Sequence, residues 1–224
     1  PAGTINVVPG DGRTIGAALA AHRDVDRVAF TGSTAVGREI VKAASGNLKR
    51  VSLELGGKSA VIVCGDADLD NAADTAADAV FGGAGQVCVA GSRVYVERAH
   101  YDAFVHALTL RARARVMGPS WQAGTTLGPL ISADRRRVVH DIVQRSLAGG
   151  ARCITGGEIP VGAGYFYPAT VIACEHSDLP VVREEVFGPV VAVMPFDSME
   201  EVLRMANDSD YGLAASIHKI GRAH

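Results

Sequence analysis

The chain has 224 residues, 48% of them hydrophobic and 21% charged, with a formal net charge of −2. That length suits one large domain or two modest ones around a sizeable core, and the balance excludes a disordered tail. Near-neutral charge leaves no broad footprint for nucleic acid, and no apolar run approaches the ~18–20 residues that cross a bilayer.

Taken in chain order, VDRVAFTG (25–32) reads as a short buried strand, and STAVGREIVKAAS as a helix that stops at Gly46-Asn47. KRVSLEL (49–55) and SAVIVC (59–64) read as two more strands. DADLDNAADTAADAVF (66–81) carries acidic residues early and an alanine-rich body, as a helix N-terminus prefers. RVYVE (93–97) is a strand and HYDAFVHALTLRARARV (100–116) a helix; another helix runs from about Ser132 to Leu147. ARCIT, PATVIAC and PVVAVMPF are strands, SMEEVLRMAND (198–208) the last helix and GLAASI the last strand. Strands alternating with helices make an α/β fold with a mostly parallel sheet.

The four cysteines, Cys64, Cys88, Cys153 and Cys174, form no CxxC pair and no metal-ligand spacing with histidine, so no metal site is expected. Free thiols suit a reducing compartment. Cys64, Cys153 and Cys174 lie in or beside apolar stretches and read as buried structural thiols. The basic clusters Arg111, Arg113, Arg115 and Arg135 to Arg137 read as solvated helix faces.

Four stretches carry candidate chemistry. FTGSTAVG (30–37) is a strand, turn and helix start whose amides and Ser33 and Thr34 hydroxyls suit a phosphate; taken alone it fits a plain strand–helix turn equally well. Glu54 sits in the apolar strand before Gly56-Gly57. Buried, it would be a general base with a raised pKa; at the strand edge, a solvated glutamate. In GGAGQVCVAGSR (82–93), Cys88 stands among glycines that leave its thiol approachable, as a nucleophile needs, although a structural thiol fits the fragment as well. In VVREEVFGPVVAV (181–193), Glu185 could accept from ribose hydroxyls and Phe187 could pack on a flat ring; a solvated acidic pair before a turn is the other reading.

Read together, FTGSTAVG, LELGGKSAVIV, DADLD, GQVCVAGSRVYV, GPLIS, GYFYPATV, EEVFGPVV and AND…YGLAAS closely resemble the NAD(P)-dependent aldehyde dehydrogenase superfamily. Order and spacing agree too, with 34 residues from Glu54 to Cys88 and 97 from Cys88 to Glu185. The resemblance implies a partial Rossmann-type nucleotide domain at 1–56 and a catalytic thiol domain at 57–218. It makes Cys88 the nucleophile and Glu54 the base that activates water. Gly32, Ser33 and the helix start through Gly37 become the pyrophosphate site. Gly12 would line the cofactor cleft, and Leu55 would offer its backbone to the nicotinamide amide. Glu185 would hold the nicotinamide ribose, with Phe187 against the ring.

The implied activity is oxidation of a small aldehyde to an acid with NAD, NADP staying open, through a thiohemiacetal and thioester on Cys88. A relative kept for binding or structural bulk is the alternative, and retention of both Cys88 and Glu54 argues for the enzyme. Val87 and Val89 favour aliphatic or aryl aldehydes. Homodimers or homotetramers and a cytoplasmic location are the expected assembly and compartment, with no membrane or nucleic-acid partner. Family members are about twice this long, so a fragment lacking N-terminal and C-terminal parts is expected, unstable and inactive alone. KIGRAH (219–224) departs from the family pattern and reads as a non-native tail of translated adapter.

Overall fold

A computed structural model describes residues 1–220; the tail expected at 219–224 therefore lies outside the described residues from 221 onward. The chain divides into two compact units, Pro1–Gly56 and Gly57–His224.

The first unit begins with a π-helical turn, Gly12–Gly16, that runs into helix α1 (Ala17–Ala21). Strand β1 (Arg27–Thr31), helix α2 (Thr34–Ala44) and strand β2 (Arg50–Glu54) then form a βαβ unit. The two strands pair in parallel, from Arg27 opposite Arg50 to Thr31 opposite Glu54. Ser33 caps α2 by accepting a hydrogen bond from the Val36 amide, which satisfies one of the donors a helix start leaves orphaned. The expected buried strand at 25–32 is not buried: β1 alternates between exposed and half-buried residues. It belongs to a sheet of two strands, so each strand is an edge.

The second unit carries β3 (Ala60–Val63), α3 (Leu69–Phe81), β4 (Arg93–Glu97), α4 (Tyr101–Arg113) and α5 (Ala133–Ala148). β5 (Arg152–Thr155), β6 (Thr170–Ala173), α6 (Pro180–Arg183), β7 (Val190–Phe196), α7 (Met199–Asn207) and β8 (Ala215–His218) follow. Its sheet has the order β5-β6-β7-β4-β3-β8. Only β5 runs antiparallel to its neighbour. Strands β3, β4, β6 and β7 are buried almost throughout, which is why they read as continuous apolar runs rather than alternating ones. Ala72, Ala73, Ala76, Ala77 and Val80 give α3 a small-residue face that is wholly buried.

Two expectations need correction. Cys64 and Cys174 are buried, but Cys153 is exposed. It lies on β5, the edge strand, where one flank has no neighbouring strand among the described residues. The basic clusters are also more than solvated faces. Arg111 bonds Asp70 and Asp74 and so pins α4 to α3, and Arg115, just past the end of α4, pairs with Asp78 of α3. Arg136 donates to the Gly164 carbonyl, and Arg135 stacks over Phe187. No helix among the described residues is long and apolar enough to cross a membrane.

Candidate active site

In the second unit the thiol is presented by a backbone that glycine makes possible. Helix α3 ends at Phe81 and the chain passes into a short 3-10 turn, Gly82–Gly85. Gly83, Ala84 and Gly85 all adopt positive φ, at 57°, 54° and 69°. Three successive left-handed residues reverse the chain sharply, and two of them are the residue type that does so without steric cost. Gly85 is constrained further, because a Cβ there would stand 2.1 Å from the Gly188 carbonyl oxygen. The glycine loop and the Phe-Gly-Pro turn are thus in backbone contact.

Cys88 follows, half-buried, in a turn closed by the Ala90 amide donating to the Val87 carbonyl at 3.1 Å. Such a closing bond uses neither central amide, and the N–H groups of Cys88 and Val89 make no backbone hydrogen bond among the described residues. Val87 and Val89 flank the thiol with 39% and 49% of their surface exposed. Gln86 anchors the loop by accepting from the Ile131 amide at 2.9 Å.

Gly57 joins this turn to the acidic motif. Its amide donates to Glu185 Oε1 at 3.2 Å. On its other side a Cβ would stand 2.5 Å from the Cys88 carbonyl oxygen and 3.2 Å from Leu213. Segments 57, 88, 185 and 213 therefore meet around one residue without a side chain. Of the acidic pair, Glu184 is exposed and forked to Arg145 at 2.7 and 2.9 Å, which holds its carboxyl below the usual range. Glu185 is half-buried, so the two are not one solvated pair. Phe187 has φ 50°, a strained value for a bulky residue, and its half-buried ring carries the Arg135 guanidinium 5.8 Å from the centroid.

Two buried cations escaped the sequence reading. Arg93 is 4% exposed and donates to the carbonyls of Lys58 at 2.7 Å and Ala206 at 2.9 Å, and to Tyr95 Oη at 3.1 Å. Lys58 is 2% exposed, and its Nζ has no hydrogen-bond partner among the described residues. Burial, with Arg93 adding repulsion, lowers its pKa to about 7. The signal for Arg93 was legible: a charge opening an otherwise apolar buried strand needs acceptors. Nothing local marked Lys58.

In the first unit, Gly32, Ser33, Gly37, Glu54 and Leu55 gather where β1, α2 and β2 meet. The Gly32 amide donates to the Glu54 carbonyl at 3.0 Å. A Cβ at Gly37 would stand 2.8 Å from Leu55 Cδ2, so this glycine sets how closely α2 approaches β2. Ser33 is the N-cap of α2. Gly12 opens the π-helical turn, with no atom within 4 Å of where a Cβ would stand. Glu54 differs from the buried reading: it is exposed. It ends a strand of a two-stranded sheet, where the side chain reaches water.

Residues 1–223 match the model of the aldehyde dehydrogenase family. The chain belongs to the aldehyde dehydrogenase family. The mitochondrial aldehyde dehydrogenase of Leishmania tarentolae is 48% identical over 218 residues, covering 97% of this chain and 44% of the relative. Among solved structures, a putative aldehyde dehydrogenase from Burkholderia cenocepacia superposes with a TM-score of 0.96 at 43% identity, over 99% of this chain and 46% of that one. The NAD+ complex of the aldehyde dehydrogenase from Bacillus cereus gives 0.93 at 43% identity, over 96% and 44%. This chain thus spans less than half the length of the aldehyde dehydrogenases it matches. Its α/β architecture, with a mostly parallel sheet, is theirs.

Proposed function

We propose that the protein oxidises an aldehyde to a carboxylic acid with NAD+, using Cys88 as nucleophile and Glu54 as base. The observation that carries this reading is the meeting at Gly57 of the Cys88 turn and the Glu185 carboxylate. A thiol in reach of free backbone amides and a carboxylate suited to sugar hydroxyls is the pairing that thiol-dependent hydride removal requires.

The residues fit a dinucleotide. The start of α2, which opens just after Gly32 and is capped by Ser33, with Gly37 in its first turn, suits a pyrophosphate. Glu185 would hold the nicotinamide ribose, Phe187 would pack on the ring, Leu55 would offer its backbone, and Gly12 would line the cleft. Residues 1–56 are then part of a dinucleotide-binding domain and 57–218 the catalytic domain.

The Cys88 thiolate attacks the aldehyde carbon, forming an S–C bond while the carbonyl oxygen takes the negative charge. The amides of Cys88 and Val89 donate to that oxygen. Bound NAD+ supplies the hydride acceptor that lets the thiohemiacetal on Cys88 become a thioester. Glu54 takes a proton from water, which attacks the thioester, releases the acid and restores the thiol. Val87 and Val89 beside the thiol favour uncharged aliphatic or aryl aldehydes; a preference for cationic or phosphorylated aldehydes in a substrate panel would overturn that choice. We place the intact protein in the cytoplasm, where free thiols persist, as a homodimer or homotetramer. The deciding experiment is Cys88→Ala in the intact protein. Aldehyde-dependent NAD+ reduction is lost; unchanged turnover overturns the mechanism.

A further inference from the structure

The tip of the thiol turn is not held by burial. Val87 and Val89 are exposed and Gln86 and Cys88 half-buried, whereas the flanking Ala84, Gly85, Ala90 and Gly91 are buried. The chain enters the tip through Ala84, whose φ of 54° is a strained value for a residue with a side chain. Such strain persists only where the surroundings hold it. The close approaches of Gly85 to the Gly188 carbonyl and of Gly57 to the Cys88 carbonyl are steric stops. A single contact of that kind attracts only weakly, so it limits how near the turn can come without keeping it from moving away.

One directed attraction does hold it. Gln86 Oε1 accepts from the Ile131 amide at 2.9 Å. Among the described residues, it is the only hydrogen bond that ties residues 83–91 to a distant segment; the Gln86 and Ala90 amides and Gln86 Nε2 bond within the loop. The partner stands at a junction. Ile131 directly precedes Ser132, the N-cap of α5. That helix also braces the Phe-Gly-Pro turn: Arg135 lies over the Phe187 ring, and Val139 Cγ2 stands 2.6 Å from where a Gly188 Cβ would be. The start of α5 therefore touches the turn that carries Glu185 and Phe187 and, through Gln86, the turn that carries Cys88.

We propose that Gln86 is a positioning residue: its side-chain bond to the Ile131 amide draws the thiol turn onto the Gly57 and Gly188 backbones and so sets the depth of Cys88. The proposal rests on the reading of Cys88 as the nucleophile. A half-buried bond of this kind contributes little to folding, because water replaces it when it is lost. Its effect is on place. Gln86 is two residues from Cys88, and a shift of ~1 Å in a reacting group costs about a hundredfold in rate. Without the bond the thiol becomes easier to reach and worse at its task.

The test is Gln86→Met in the intact protein, which keeps the length of the side chain and removes the acceptor. Two rates are compared with the parent: alkylation of Cys88 by iodoacetamide, located by peptide mass spectrometry, and aldehyde-dependent NAD+ reduction per titratable thiol. Alkylation accelerates while kcat falls by about ten- to a hundredfold, and the melting temperature stays within a few degrees. A purely structural role moves both rates down together with the folded fraction. Ile131→Pro deletes the same bond from the donor side at an exposed side chain, so the double variant loses no more than the stronger single one. A reading without variants uses the parent alkylated at Cys88 with N-ethylmaleimide: lifting the turn speeds hydrogen exchange of the Ile131 amide. An unchanged kcat in Gln86→Met, a fall of both rates, additive losses in the double variant, or exchange unmoved by alkylation overturns the inference. Cys88→Ala separates the two layers. If it turns over like its parent, the nucleophile reading fails, whereas the alkylation and exchange readings still report where Cys88 sits. If it is inactive while Gln86→Met keeps its kcat, only the role of Gln86 fails.

Discussion

Replacing Gly57 with alanine strikes the point where the thiol turn meets the Glu185 carboxylate. The added Cβ would stand 2.5 Å from the Cys88 carbonyl oxygen, inside the ordinary contact range of 3.4–4 Å. That oxygen belongs to the backbone and has no rotamer to change, so the turn itself must withdraw by about 1 Å. The Leu213 atoms at 3.2 Å block part of the opposite escape. Overpacking of this kind costs about 1–3 kcal/mol of stability. Displacing a reacting group by ~1 Å costs about a hundredfold in rate, so turnover suffers more than folding. The assay compares aldehyde-dependent NAD+ reduction and melting temperature in Gly57→Ala and Gly82→Ala. Gly82 is the control, with φ −55° and nothing within 4 Å of an added Cβ. Gly57→Ala loses about a hundredfold in kcat and melts a few degrees lower, whereas Gly82→Ala resembles its parent. A Gly57→Ala protein with undiminished kcat would refute the claim that this contact sets the position of the thiol.

Arg93→Met strips the Lys58 and Ala206 carbonyls of their donor and lowers stability by about 2–4 kcal/mol in denaturant unfolding; Arg93→Lys does not restore it, because an ammonium cannot reproduce the guanidinium fork. A loss below about 0.5 kcal/mol, the range of ordinary surface changes, would contradict this. Lys58 also gives stability a pH signature. Its pKa is about 7 in the fold against 10.5 for an ordinary lysine, so between these values the unfolded chain binds more protons. Stability then rises with pH across that window, the penalty being complete below it and gone above it. The melting-temperature advantage of Lys58→Met over its parent is therefore largest in acid and narrows towards pH 10.5; an offset constant with pH would contradict the burial of an unpaired amine.

Much of this molecule is legible from the sequence because the signals are local. Strand β3 is a continuous apolar run, α3 opens on acidic residues, and Ser33, Asp68, Ser132 and Ser198 each cap the helix they precede. The chemistry-bearing motifs are local as well, which is why Cys88 and Glu185 stand out before any contact between their segments is known. What the sequence does not disclose depends on partners far along the chain. Arg93 finds acceptors 35 and 113 residues away, and the Gly57 amide meets a carboxylate 128 residues on. The exposure of Cys153 follows from β5 lying at the sheet edge, which its apolar flanks do not encode. β1 departs from the buried expectation, and Glu54 takes the solvated one of its two readings, for a related reason: an apolar run says nothing of how many strands flank it.

Covalent catalysis by Cys88 is tested most directly by intact and peptide mass spectrometry of a Glu54→Gln variant of the intact protein, mixed with NAD+ and an aryl aldehyde. With water no longer activated, the thioester accumulates, and the acyl mass is found on the peptide that contains Cys88. Steady oxidation of the aldehyde with no acyl mass on that peptide, or with the mass on another residue, would contradict it.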